Sequence, residues 1–371
     1  MILSSLELTN FKLHKSSNLE FSEKLNYIVG GNGQGKTTIL EAIYYLCTTK
    51  GFGQTNDLDA INFESDFFDI KGAFRDVTER NVRVYYHKSE RKKKIFLDEK
   101  NVFRPADFIG NFPVVTLTLS DHDITSGSPS DRRKFVDSII SQSSGAYLKI
   151  LMEYNRTLKH RSSLLQRIKE DRSGLMETEL DAWDATLVKL GSQIIKHRIS
   201  FALEFDYYVK EAYKRIMKEL ETPGLEYAGF TERISPENLE EKFMSELRSL
   251  RPLEIVRTKN LLGPHRDEYN FYLNDKLLKK FGSQGQHKTY QIALRFAQFF
   301  YIKDKSGKTP IFLMDDIFGE LDTYRSEKIR DFLDEVGQAF ITMTDFTKYE
   351  NLHKFESSKL IKVEKGSVSY A

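Results

Sequence analysis

The period of apolar and polar positions changes several times along the chain. Ile2, Leu3, Leu6 and Leu8 precede a turn at Asn10, and Leu19 and Phe21 follow it, so the start reads as strands. Leu25-Asn26-Tyr27-Ile28-Val29 is a short apolar run ending in Gly30-Gly31, the pattern of a buried strand. Beyond Lys36 the period becomes helical, with Ile39, Leu40, Ile43 and Leu46 on one face. From Phe67 to Val102 the period returns to two: Phe68, Ile70, Ala73, Val82, Val84 and Tyr86 alternate with polar residues, as in half-buried antiparallel strands. Arg91-Lys92-Lys93-Lys94 is expected at a hairpin tip.

The regime changes again at Ser128-Pro129-Ser130-Asp131. Serine caps a helix, proline suits its first turn and aspartate complements its dipole. Two helical stripes follow, Leu151, Tyr154, Leu158, Leu165, Ile168 and then Leu180, Trp183, Leu187, Leu190, Ile194. The break at Asp171 to Gly174 predicts an antiparallel helical hairpin. A polar stretch from Thr222 to Pro236 and a helix from Leu239 to Leu250 come next. Strand chemistry then resumes in Tyr269, Phe271 and Leu273 before an Asn274-Asp275 turn, and in the apolar runs Pro310 to Met314 and Ala339 to Met343.

Two of the strand ends carry chemistry. Gly30-Gly31-Asn32-Gly33-Gln34-Gly35-Lys36-Thr37, followed by Thr38, matches the phosphate-binding pattern G-x-x-x-x-G-K-[ST] between a strand and a helix. The glycines let backbone N–H groups face a phosphate, and the helix adds its positive end. Lys36 places a point charge on the outer phosphates, and the Thr37 hydroxyl suits magnesium. Ile311 to Met314 is an apolar strand ending in Asp315 and Asp316. Asp315 is expected to hold the magnesium, directly or through water, and Asp316 to orient and deprotonate an attacking water. The two motifs are far apart in sequence, so the helical middle is a large insertion into one ATPase.

Bulk properties narrow the class. A chain of 371 residues predicts two or three domains, and 40% hydrophobic with 30% charged residues is an ordinary globular balance. No apolar run approaches the roughly 20 residues of a membrane span, and the N-terminus does not read as a secretory signal. The single Cys47 excludes an internal disulfide framework and fits a cytosolic, reducing location. A net charge of +2 leaves nucleic-acid binding to local patches. These are Arg91, Lys92 and Lys93; Arg132 and Arg133; and Lys279 and Lys280. Arg132 and Arg133 equally suit a buttress of the helical lobe.

Three further segments carry a resemblance. Ser283-Gln284-Gly285-Gln286 opens a helix before the Asp315 strand and resembles the signature motif of ABC-type ATPases. Gly319-Glu320-Leu321-Asp322 resembles their D-loop, and Asn10-Phe11-Lys12 the opening of SMC-like heads. Within that superfamily the chain is similar to the RecF family of bacterial DNA repair proteins. The most specific segments are Thr125 to Asp137 and Leu261 to Glu268, and the paired aspartates fit as well.

The resemblance implies an α/β fold: an ABC-type ATPase head, with a mixed sheet around the P-loop, an antiparallel β subdomain and an inserted helical lobe. Residues 1–125 and 256–371 would form the head, and 126–255 the lobe. It also implies a weak, switch-like, DNA-dependent ATPase that dimerises on ATP. Each nucleotide would be covered by Ser283 to Gln286 of the partner copy. Double-stranded DNA at gaps, RecO and RecR would be its partners, and RecA loading its outcome. Lys12 would contact phosphate, although an arginine is more usual there and lysine lacks its bidentate fork. The switch histidine of transporters is absent after the last strand, which leaves the γ-phosphate sensor unassigned, with Thr344 and Asp345 as candidates. A motor subunit of a transporter or of an SMC-like complex is the alternative.

Overall fold

Asn10 and Lys12 both take left-handed backbone, with φ of 54° and 48°, and reverse the chain between β1 (Ile2–Phe11) and β2 (His14–Glu20). The computed structural model describes residues 1–52, 56–171, 176–217, 221–229, 238–344 and 358–370. After β3 (Leu25–Val29) and α1 (Lys36–Thr48) come β4 (Phe67–Arg75), β5 (Glu79–His87), β6 (Lys92–Leu97), β7 (Lys100–Asn101) and β8 (Val114–Leu117). An antiparallel sheet runs in the order β2-β1-β4-β5-β6-β7. Its alternating residues Leu3, Leu6, Phe68, Ile70 and Val84 share one core with Ile39, Ile43 and Leu46 of α1. Only Arg91 stands at the expected hairpin tip, with φ of 48°. Lys92 to Lys94 already pair with β5 as the start of β6.

By compactness, Met1–Asp121 and Gln291–Ala371 form one unit, and His122–Tyr290 a second. Residues 256–290 are therefore grouped with the second. That unit contains α2 (His122–Ser126), α3 (Pro129–Ser143), α4 (Gly145–Glu170), α5 (Glu177–Met217), β9 (Pro223–Ala228), α6 (Leu239–Arg257), β10 (Glu268–Leu273), β11 (Lys276–Leu277) and α7 (Leu278–Phe281). α3 starts with a capping box between Ser128 and Asp131. α4 and α5 are antiparallel: Tyr147 meets His197, and Arg161 meets Asp184. The stretch expected to be merely polar contains β9, which pairs antiparallel with β10 from Glu268↔Ala228 to Leu273↔Pro223. Pro-Gly-Leu-Glu-Tyr-Ala has little strand propensity of its own, so its conformation comes from that partner. α6 runs past Leu250, through Pro252, to Arg257.

α8 (Gln284–Ser306) leads back to the first unit, which ends with β12 (Ile311–Met314), α9 (Thr323–Leu333), β13 (Ala339–Met343), β14 (Ser358–Glu364) and β15 (Ser367–Tyr370). The second large sheet has the order β15-β14-β3-β13-β12-β8. All its pairings are parallel except β14 with β15. Residues of β3, β12 and β13 are almost all buried, which explains their uninterrupted apolar runs. Phe296 of α8 stacks on Phe312 and Phe332, at 5.1 and 4.0 Å between ring centroids. β13 lies between β3 and β12, so the P-loop strand and the carboxylate strand share a common neighbour.

Candidate functional site

The P-loop leaves the carboxyl end of β3, where ligands of parallel sheets collect. Gly33 and Gly35 have φ of 73° and 106°, a conformation that side chains resist. Gly30 is needed for space instead: a Cβ there would lie 2.3 Å from the Val363 carbonyl oxygen. Behind the loop, the buried His14 places Nε2 3.1 Å from the Gly35 carbonyl and Nδ1 2.9 Å from Ser17 Oγ. Gln34 Oε1 accepts from Lys365 N at 2.7 Å and fastens the loop to the β14–β15 turn. Asn32 and Gly31 lie on the exposed rim, Lys36 and Thr38 are buried, and Thr37 faces outward.

Lys36 Nζ donates to the Gly30 and Gly31 carbonyls, at 2.7 and 2.8 Å. Burial lowers its pKa, while Asp316 and Asp315 pull it back up. The ammonium thus already sits inside the loop that a phosphate would enter.

Thr37 Oγ1 lies 2.9 and 3.1 Å from the two carboxylate oxygens of Asp315. β12 delivers this carboxylate, and α1 the hydroxyl. Burial raises the Asp315 pKa, and hydrogen bonds from Thr342 and Thr37 oppose the rise. The donor set is all oxygen, as magnesium requires. Adjacent ligands of an octahedral magnesium stand about 2.9 Å apart, so the observed spacing fits. Asp316 has φ of 51°, and its N–H donates to Thr342 Oγ1 at 2.8 Å.

Lys12 pairs with Glu41, one helical turn beyond Thr37, at 2.7 Å. Thr344 is exposed at the end of β13, and Asp345 lies outside the described residues. Asp322 caps α9 by accepting from Arg325 N at 2.8 Å. In the second unit, Ser283 and Gln286 form a reciprocal cap at the start of α8. Ser283 N donates to Gln286 Oε1 at 2.8 Å, and Gln286 N donates to Ser283 Oγ at 3.2 Å. Gln286 Nε2 is also held by Glu221 at 2.6 Å, whereas Ser283 and Gln284 stay exposed and Gly285 is half-buried. The site residues missed by sequence reasoning are Thr342, Glu41 and His14. Of these only Thr342 gives a signal, as the single hydroxyl in an apolar strand.

The basic residues divide by their partners. Arg132 is buried, and its guanidinium grips Glu268 with bonds of 2.7 and 2.8 Å. Arg133 donates to the Asp267 carbonyl at 2.6 Å, Lys93 pairs with Asp57 at 2.7 Å, and Lys279 donates to the Gly127 carbonyl at 2.8 Å. Arg91, Lys92 and Lys280 are exposed.

The segments Thr125 to Asp137 and Leu261 to Glu268 therefore meet inside the second unit, where Arg198 also binds Asp137 and the Pro264 carbonyl. His265 Nε2–H donates to the Asn260 carbonyl at 3.2 Å, so Nδ1 accepts from Tyr154 Oη at 2.8 Å. Burial depresses the His265 pKa from 6.5 to about 4, and neighbouring Arg266 and Arg133 act in the same direction. The unfolded chain then takes up a proton below pH 6.5 that the folded chain refuses. Its stabilising contribution is complete above pH 6.5 and is lost as pH falls toward 4, by up to about 1.4 kcal/mol per pH unit. Urea unfolding at pH 7 and pH 5 should show the stability gap between wild type and His265→Gln narrowing in acid. A constant gap would contradict this account.

Comparisons with known proteins show the family and the fold. A family profile described as RecF/RecN/SMC N terminal domain matches residues 2–368. The DNA replication and repair protein RecF of Salinibacter ruber is 38% identical over 351 residues, covering 93% of this chain and 85% of that one. Its counterpart in Oenococcus oeni is 33% identical, with 99% of each chain covered. A solved structure of the recombination mediator protein RecF with ATPrS, in the RecFOR pathway, superposes with a TM-score of 0.89 at 29% identity, covering 100% of this chain and 98% of that one. The Smc head domain of Pyrococcus furiosus shares the fold at a TM-score of 0.55 and 16% identity, covering 100% of this chain and 95% of that one. The architecture is an ABC/SMC-type α/β head with mixed and antiparallel sheets and a helical region.

Proposed function

The chain belongs to the RecF/RecN/SMC N terminal domain family, and on that premise we propose that it is an ATP-binding recombination mediator acting on DNA. The observation that carries the nucleotide reading is the Thr37 hydroxyl against the Asp315 carboxylate, beside a lysine already seated in a glycine loop. A relative at 29% identity has been solved with ATPrS, and another at 26% with ATP. Residues 30–38 would bind the phosphates of ATP through loop N–H groups and Lys36. Thr37 and Asp315 would hold magnesium, which when bound offsets phosphate charge.

Hydrolysis would follow from the carboxylate next door. Water attacks the γ-phosphorus, the bond to the ADP oxygen breaks, and the water proton passes to Asp316. The exposed Ser283 and the start of α8 form a helix N-terminus suited to an anion. We assign it to the nucleotide of a second copy, so that ATP closes a homodimer on duplex DNA beside a single-stranded gap. RecO, RecR and RecA loading belong to the same reading. Hydrolysis would be slow and would reopen the dimer.

Ser283→Arg tests the reading. Sedimentation should show ATP-driven dimers in wild type and only monomers in the variant, while the monomer still binds ATP. ATP-dependent binding to gapped duplex should be lost with dimerisation. A variant that dimerises normally would sink the model of a shared site.

A further inference from the structure

We propose that Thr342 is a positioning residue of this nucleotide site, setting Asp315 through its side chain and Asp316 through its backbone. The inference rests on the nucleotide reading above. Thr342 lies on β13 and is 0% exposed. A hydroxyl buried in an apolar strand must find protein partners. Its partners are the two residues on which the proposed chemistry depends.

Proton accounting fixes the direction of both bonds. A threonine hydroxyl has one hydrogen and two lone pairs. The Asp316 N–H has to donate, and it reaches Thr342 Oγ1 at 2.8 Å. The threonine hydrogen is then given to Asp315 Oδ1, also at 2.8 Å. The Met314 carbonyl, at 3.5 Å, is too distant to compete. One hydroxyl therefore joins the Asp315 carboxylate to the Asp316 backbone.

That bond bears on an uncommon conformation. Asp316 has φ of 51°, in the left-handed region that non-glycine residues visit rarely. Its side chain leaves the backbone in a direction set by that φ, so whatever fixes the N–H also aims the carboxylate. Thr342 can fix it because its own position is over-determined. β13 is paired on one side to β3, with Thr342 opposite Ile28, and on the other to β12, with Ile341 opposite Met314. The branched side chain restricts rotation about its first torsion. The centre of the sheet, rather than the loop after β12, thus holds the aim of both carboxylates.

Thr342→Val removes the hydroxyl and keeps shape, and Thr342→Ser keeps the hydroxyl. The test measures affinity of the full chain for ATP with magnesium and with EDTA, single-turnover hydrolysis at saturating ATP, and the melting temperature. In Thr342→Val the gain in affinity that magnesium provides should shrink about tenfold, the effect of losing one hydrogen bond to a charged group. Affinity in EDTA should stay at the wild-type value, and hydrolysis should slow. Thr342→Ser should restore both. Should the valine variant fail to fold, Thr342→Ala is read in the same way. Wild-type magnesium dependence and hydrolysis in the valine or alanine variant would overturn the assignment while leaving the nucleotide reading intact. So would a well-folded serine variant that restores nothing. Wild-type protein that binds no ATP with magnesium would remove both.

Discussion

Lys36→Ala should lose ATP affinity by about a hundredfold or more while the melting temperature without nucleotide barely moves. The two halves of this expectation have separate causes. A lysine bonded to phosphate oxygens makes charge-assisted hydrogen bonds of about 1.5–3 kcal/mol each, and two of them amount to about a hundredfold in affinity. Without nucleotide the same ammonium hydrogen-bonds the Gly30 and Gly31 carbonyls. Burial disfavours its charge there, so removing it costs the empty fold little. Isothermal titration with ATP and a thermal melt of the same preparation check both halves. Retained affinity would mean that phosphate does not enter this loop, and a large fall in melting temperature would mean that the lysine is structural.

Arg161→Ala should destabilise the second unit by about 3–5 kcal/mol, the cost of stripping one partner from a buried ionic cluster. Arg161 is completely buried between Asp184 and Glu254, both also at 0% exposure. Its nitrogens reach Asp184 at 2.6 Å, Asn260 at 2.7 Å and Glu254 at 2.5 Å. One side chain on α4 therefore ties α5, α6 and the segment leading to His265. Its loss leaves two buried carboxylates, with Arg251 as partner to Asp184 at 2.8 Å. Replacing all three charged residues by apolar ones of similar volume, Arg161→Met with Asp184→Leu and Glu254→Met, should recover part of the loss, because no buried carboxylate then stays uncompensated and Arg251 keeps its pair with Asp181. Denaturant unfolding of the single and triple variants measures this. A single variant costing under about 1 kcal/mol would remove the cluster from any account of stability.

The parts of the fold that depend on neighbouring residues were legible in the sequence. A P-loop is one stretch of backbone whose glycines, lysine and threonine must be contiguous, so Gly30 to Thr37 could be read directly. The same holds for the Ser128 cap, the Asn274-Asp275 turn and the apolar strand that delivers Asp315. Ser283 to Gln286 was likewise legible as a helix start.

Tertiary structure decided what depends on residues distant in sequence. Strand β9 has weak propensity and exists through its pairing with β10. Arg132 and Arg133 read in sequence equally as a surface patch or as a buttress, and the fold turns them to Glu268 and the Asp267 carbonyl, more than a hundred positions away. Most of all, Thr342 stands out in its own strand only as a lone hydroxyl, which names no partner. It meets the Asp315 carboxylate and the Asp316 N–H only because parallel pairing inserts β13 between β3 and β12. Backbone conformation and periodicity are local properties and can be read along the chain. The partner of a buried polar group is chosen by packing, and only the folded chain contains it.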